Sequence, residues 1–181
     1  VQEQTTTNWS AASVAHCIKV SSDTSPKPQG TFRFTAWSLL GGKGYHLYAN
    51  YPGITTPFVF KDCQLGPGFF EATQCSAALT NCLLERMSVT LDDDGATYNY
   101  YAHNNLFRVG SLTANKYDGT DIWQFKDNLF DQTSIYQSGS ITHSNNAYVN
   151  GYSRLTPTNA NDVVLTNTPV YQTSYLGRYY Y

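Results

Sequence analysis

The stretch Met87-Ser88-Val89-Thr90-Leu91-Asp92-Asp93-Asp94-Gly95-Ala96-Thr97-Tyr98-Asn99-Tyr100-Tyr101 holds the clearest secondary-structure signal in the chain. Met87, Val89 and Leu91 alternate with Ser88 and Thr90, the period of a strand with one buried face. Asp92-Asp93-Asp94-Gly95 is turn chemistry, and the residues from Thr97 onward favour extended backbone again. Two alternating runs around an Asp/Gly turn read as a β-hairpin.

Working outward, Thr31-Phe32-Arg33-Phe34-Thr35-Ala36 also alternates, and Tyr45-His46-Leu47-Tyr48-Ala49 follows a glycine-rich connection, which predicts a second hairpin. Short apolar runs at 58–60 and 69–70, and further strands at 106–112, 121–125, 134–137, 147–152, 162–165 and 170–176, complete the pattern. Cys75-Ser-Ala-Ala-Leu-Thr-Asn-Cys82 is the best candidate for a short helix, near 75–84. The expectation is an all-β fold, a β-sandwich or closed β-barrel (a trefoil included) of about ten short strands. No linker divides the chain, so residues 1–181 read as a single domain, with the polar stretch 1–10 flexible. Internal repetition is confined to short echoes, Tyr48-Ala49-Asn50 with Tyr101-Ala102-His103 and Ile135-Tyr136-Gln137 with Val170-Tyr171-Gln172.

Charged residues make up 13% of the chain, against roughly 25% in an average soluble protein. Thr, Ser, Asn and fifteen Tyr supply the polarity instead, a composition that suits strands and the extracellular space. The net charge is −2, and the basic residues are scattered singly, which argues against nucleic acid as a partner. No apolar run approaches the roughly 18 residues of a membrane span. A start at Val1-Gln2-Glu3-Gln4 reads as a processed N-terminus of a secreted protein, and Asn8-Trp9-Ser10 is a glycosylation sequon.

Four cysteines, Cys17, Cys63, Cys75 and Cys82, form an even set whose spacings of 46, 12 and 7 contain no zinc-type pair. Two disulfides in an oxidising compartment are the expectation. If 75–82 is helical, Cys17 and Cys63 each take one of its two cysteines; if it is a loop, Cys75 can pair with Cys82.

Catalytic patterns are absent. Ser138-Gly139-Ser140 near His143 lacks an orienting third group. The acids Glu71, Glu85, Asp118, Asp121, Asp127 and Asp131 show no sequence setting that raises a carboxyl pKa, as glycoside hydrolysis demands. Asp92-Asp93-Asp94-Gly95 lacks the spaced pattern of a calcium loop and reads as an acidic turn. His16, His46, His103 and His143 lack metal-site spacing, so no metal or cofactor is expected.

Aromatic residues among neutral amides are the one pattern that suits a ligand. Tyr98, Tyr100, Trp123, Tyr148 and Tyr152 are the candidate contacts, rings giving apolar area and amides giving hydrogen bonds to a hydroxyl-rich polysaccharide.

The segment Phe32-Arg33-Phe34-Thr35-Ala36-Trp37-Ser38, running through Gly41-Gly42 to His46-Leu47-Tyr48-Ala49-Asn50, resembles one segment of the small secreted fungal cell-wall proteins of the phialide-development and surface-allergen type. The resemblance covers about twenty residues, and Lys43-Gly44-Tyr45 departs from the small residues usual before the histidine. It implies an extracellular, cell-wall-associated protein and transfers no catalytic residues. The functional expectation is a non-enzymatic secreted protein of the cell wall or extracellular matrix with weak glycan contact. A β-barrel carrier of an apolar ligand, lined by Phe32, Phe34, Met87 and Val89, and a secreted hydrolase are the alternatives.

Overall fold

A computed structural model describes residues 15–20, 30–37, 44–117, 120–151, 153–173 and 179–180. Asn8, Asp118, Tyr152, the stretch 1–10 expected to be flexible and parts of the fungal-type segment lie outside them.

The chain is all-β, as expected, but it is neither a sandwich nor a closed barrel. Fifteen strands join one sheet in which every pairing is parallel, and the chain winds as a β-solenoid with three strand faces per turn. The first face contains β1 (Ala15–Val20), the front of β4 (Gly44–Lys61), the front of β6 (Gly68–Thr80), β8 (Met87–Asp92) and the rear halves of β10 (Leu106–Asn115) and β12 (Leu129–Ser138). The second contains β2 (Thr31–Arg33), the rear of β4 and of β6, β9 (Tyr100–His103), β11 (Trp123–Lys126) and β13 (Thr142–Ser144). The third contains β3 (Ala36–Trp37), β5 (Gln64–Leu65), β7 (Leu83–Glu85), the fronts of β10 and β12, β14 (Ala147–Val149) and β15 (Val163–Leu165). A separate antiparallel pair, β16 (Gln172–Thr173) with β17 (Tyr179–Tyr180), follows.

The predicted hairpin is thereby corrected. β8 and β9 both exist, yet they lie on different faces: β8 pairs with β6 and β10, and β9 pairs with β6 and β11. The Asp turn is a corner, not a reversal. Buried Asp93 accepts the Gly95 N–H at 2.9 Å and reaches the next coil, where the Tyr117 N–H meets both its carboxylate oxygens at 2.9 and 3.0 Å. Similarly, β2 meets β4 in parallel at Val59–Lys61 and does not form a hairpin with the Tyr45 end. The helix candidate at 75–82 is the rear of β6 and the corner after it.

Corners are made by single residues in the left-handed region. Between the second and third faces these are Phe34, Asp62, Asn81, Asn104, Asp127 and Asn145, with φ from 52° to 57°. Between the third face and the next first face they are Arg86, Val109, Gln132 and Asn150. One such residue turns an extended chain sharply without breaking the sheet, and Asn and Asp tolerate the conformation best.

The residue after each Asn/Asp corner between the second and third faces points inward, and these residues form a ladder. Asn105 donates through Nδ2 to Asn128 Oδ1 at 3.0 Å, and Asn128 repeats the bond to Asn146 Oδ1 at 3.0 Å. Each carbonyl oxygen also accepts a backbone N–H from the preceding rung: Cys82 N to Asn105, Asn105 N to Asn128 and Asn128 N to Asn146. Asp162 closes the series on the Asn146 N–H at 2.8 Å. The ladder satisfies amides that would otherwise be orphaned at every corner.

Like residues stack along the core. Phe107, Phe130 and Tyr148 occupy successive rungs with ring centroids 4.9 and 5.3 Å apart and nearly parallel planes. Phe32 stacks on Phe60 at 4.9 Å, and Tyr100 packs against Trp123 at 4.3 Å with the rings tilted by 58°.

Candidate functional site

The aromatic residues favoured from sequence are interior. Tyr98, Tyr100, Trp123 and Tyr148 are at most 4% exposed, and only Tyr152 lies outside the described residues. Their hydroxyls serve the fold: Tyr98 accepts the Gly53 N–H at 2.7 Å, and Tyr100 donates to the carbonyls of Ala72 and Asp92. These four rings cannot present themselves to a polysaccharide. Period-2 alternation separates two faces of a strand but does not say which one meets water.

The cysteines are also redistributed. All four are free and none is at disulfide distance, so the expected bridges are not present. Cys63 and Cys82 take the ladder position on the two rungs before Asn105, with the Cys82 thiol donating to Phe60 O at 3.4 Å where Asn105 uses an amide to reach Leu79 O. Cys75 is buried beside Ile54.

Other candidates resolve into structural roles. His143 has Nδ1 2.8 Å from Asp162 and Nε2 2.8 Å from Pro157 O, so neither nitrogen is poised on a serine of 138–140. His46 Nε2 lies 3.0 Å from Gly66 O, and His103 Nε2 lies 3.1 Å from Gln124 Oε1. Asp92 accepts the Asp94 N–H and the Asn115 amide, consistent with an acidic corner. Asp121 is buried, whereas Asp127 is an exposed corner residue. Of the proposed cavity lining, Phe34 is 77% exposed while Met87 and Val89 belong to the packed core, so these residues do not enclose one space.

Glu85 and Asp131 do converge, on either side of Arg108 on the outer third face. Arg108 donates to Glu85 at 2.9 Å and its Nε lies 3.8 Å from Asp131. Tyr171 covers the row: its hydroxyl donates to Asp131 at 2.8 Å, and the Arg108 guanidinium lies over its ring. Leu83, Leu106, Leu129 and Val149 are buried on the same face. This is an ion ladder sealed by the chain that follows β15.

The first face is different. Its inward residues (Leu47, Phe70, Val89 and Leu112) belong to the core, while its outward residues form in-register columns. One column runs Tyr45, Phe69, Ser88, Ser111, Ser134, and the next runs Tyr48, Glu71, Thr90, Thr113, Tyr136. The rungs are spaced by about 4.8 Å, the parallel-sheet distance. Ser88 and Ser111 share a hydrogen bond of 3.0 Å along their column. Hydroxyls thus form an in-register polar field, bordered by three rings at one end and by Tyr136, 63% exposed, at the other.

At the aromatic end, Tyr45 packs against Tyr48 nearly perpendicularly (5.0 Å, 72°) and against Phe69 at 5.2 Å. Glu71 lies among them, hydrogen-bonded by Tyr45 and by Asn50 Nδ2 at 3.4 Å. Burial pushes the Glu71 carboxyl above its usual pKa, and the Asn50 and Tyr45 hydrogen bonds offset part of that shift. The chain matches no family model, no curated protein and no solved structure. The geometry of this face is therefore the ground for a functional reading.

Sequence reasoning selected none of the ring residues on this face. Its signal was available in Ser88-x-Thr90, Ser111-x-Thr113 and Ser134-x-Tyr136, which recur every 23 residues.

Proposed function

We propose that the chain is a non-enzymatic polysaccharide-binding module that works outside the cell, associated with a cell wall or extracellular matrix, and that its outer first face is the binding surface. The observation that carries this is the in-register field of Ser and Thr hydroxyls flanked by Tyr45, Tyr48, Phe69 and Tyr136. Hydroxyls donate and accept on equal terms with sugar hydroxyls, and flat rings take the apolar faces of sugar rings. A solenoid face repeats its side chains at a fixed spacing, which suits an extended polymer better than a compact ligand. The extracellular setting rests on the low charge and the Thr/Asn/Tyr-rich composition, since the cysteines are free.

The test is retention on immobilised β-glucan, chitin and mannan. Wild type is expected to be held by at least one, and Thr90→Lys with Thr113→Lys, which crowd the centre of the field, should elute early. Failure of the wild type on all three polymers, or unchanged retention of the double variant, overturns the proposal.

A further inference from the structure

The aromatic end of the first face differs from the rest of it. The hydroxyl field is neutral, but here two half-buried tyrosines meet at nearly a right angle, Phe69 flanks one of them, and a carboxylate stands on the rung beside Tyr48. Resting on the polysaccharide reading above, we propose that Tyr45, Tyr48, Phe69 and Glu71 form a cation-binding corner that selects glycans bearing a protonated amine.

The selectivity of this corner is electrostatic. An aromatic ring carries negative quadrupole charge on its face and attracts a cation, and the partly exposed rings of Tyr45 and Tyr48 both border Glu71. A neutral sugar gains only ring contact there, whereas an ammonium group also gains Glu71. Ionised Glu71 is held by Tyr45 and Asn50 on one side, which leaves lone-pair capacity for a further donor, because a carboxylate accepts about four hydrogen bonds. Partial desolvation strengthens any ion pair it makes. Asp92, diagonally placed on the next rung, adds negative charge to the same end of the face. The nearest cation in register, Lys19, is paired with Tyr48 from the side opposite Glu71. Acidic sugars would meet Glu71 and Asp92 and be repelled.

The experiment compares a glucosamine oligomer with free amines, its N-acetylated counterpart and a neutral β-glucan oligomer of equal length, by calorimetry on the whole chain at a pH where amine and carboxylate are both charged. Wild type should bind the free-amine oligomer about ten-fold more tightly than the acetylated one, the effect of one partly desolvated charge pair with cation–π contact. Glu71→Gln, nearly isosteric, should bring that ratio close to one; Tyr48→Leu is read the same way and covers the case in which Glu71→Gln does not fold, judged by circular dichroism. Equal wild-type binding of the amine and acetylated oligomers overturns the inference and leaves polysaccharide binding standing. Binding of none of the three overturns the inference, and the polysaccharide reading falls with it if the chain is also not retained on mannan. An amine preference that persists in folded Glu71→Gln also overturns the assignment.

Discussion

Asn128 Oδ1 accepts two hydrogen bonds from Asn105, one from its backbone N–H and one from its side-chain amide, each 3.0 Å long. Asn128 in turn donates from Nδ2 to Ala102 O at 2.8 Å and to Asn146 Oδ1 at 3.0 Å. All three asparagines are at most 2% exposed, so water cannot replace a lost partner.

Asn128→Ala therefore leaves buried donors and acceptors unsatisfied on two rungs. A cost of about 3 kcal/mol or more is expected, since each such group is worth about 1–3 kcal/mol. Urea denaturation monitored by circular dichroism measures it, and a variant within about 0.5 kcal/mol of wild type would show that the ladder does not hold the coils together.

Val109 occupies a left-handed corner at φ 52°, the position held by Arg86, Gln132 and Asn150 on other coils. A β-branched side chain is the least suited to this conformation, and the penalty is roughly 1–2 kcal/mol. Val109→Asn should raise stability by about 1 kcal/mol. Its neighbour behaves oppositely: a Cβ at Gly110 would stand 2.1 Å from Met87 O, so Gly110→Ala should cost about 2 kcal/mol or more. Matched thermal melts of the two variants would refute this account if both moved in the same direction.

The thiols make a third test. Burial pushes Cys75 up to about 12 and raises Cys17 as well. The neighbouring Cys63 and Cys82 thiols interact, which moves the pair apart, Cys63 downward and Cys82 upward. Access nonetheless dominates, because Cys63, Cys75 and Cys82 are at most 2% exposed. A thiol-specific reagent should modify native protein at Cys17 alone, and all four cysteines should titrate in denaturant without reductant. Fewer than four under those conditions would restore the disulfide expectation.

Glu71 supplies the pH test. Its carboxyl is raised in the folded state, so folding favours the protonated form. That contribution is fully present below the unfolded pKa, about 4.3 for glutamate, and is lost as pH rises through the folded value. Glu71→Gln should match wild type in acid and melt higher than wild type at neutral pH. A melting difference that does not change with pH would contradict the assignment. The variant would then lose amine selectivity while gaining stability, the usual relation between a charged binding residue and the fold that carries it.

Much of the secondary structure is legible in the sequence. Met87-Ser-Val-Thr-Leu is a strand because its side chains alternate, and Asn104 and Asp127 make corners because their residue types tolerate positive φ. The solenoid period was visible as well, in Asn81-Cys82-Leu83-Leu84, Asn104-Asn105-Leu106-Phe107, Asp127-Asn128-Leu129-Phe130 and Asn145-Asn146-Ala147-Tyr148. Unequal coil lengths of 23, 23 and 18 residues between those corners hide it from a search for a fixed repeat.

What the sequence by itself determined is that the chain is built of short strands with polar corners, because those preferences act within a few residues. Only the tertiary structure decided that β8 and β9 part company, that Tyr100 and Tyr148 turn inward, and that Tyr45, Tyr48, Phe69 and Glu71 meet on one surface. Period-2 alternation is the same for an antiparallel hairpin and a parallel coil. Which strand pairs with which, and which face closes on the core, is settled by residues a full turn away.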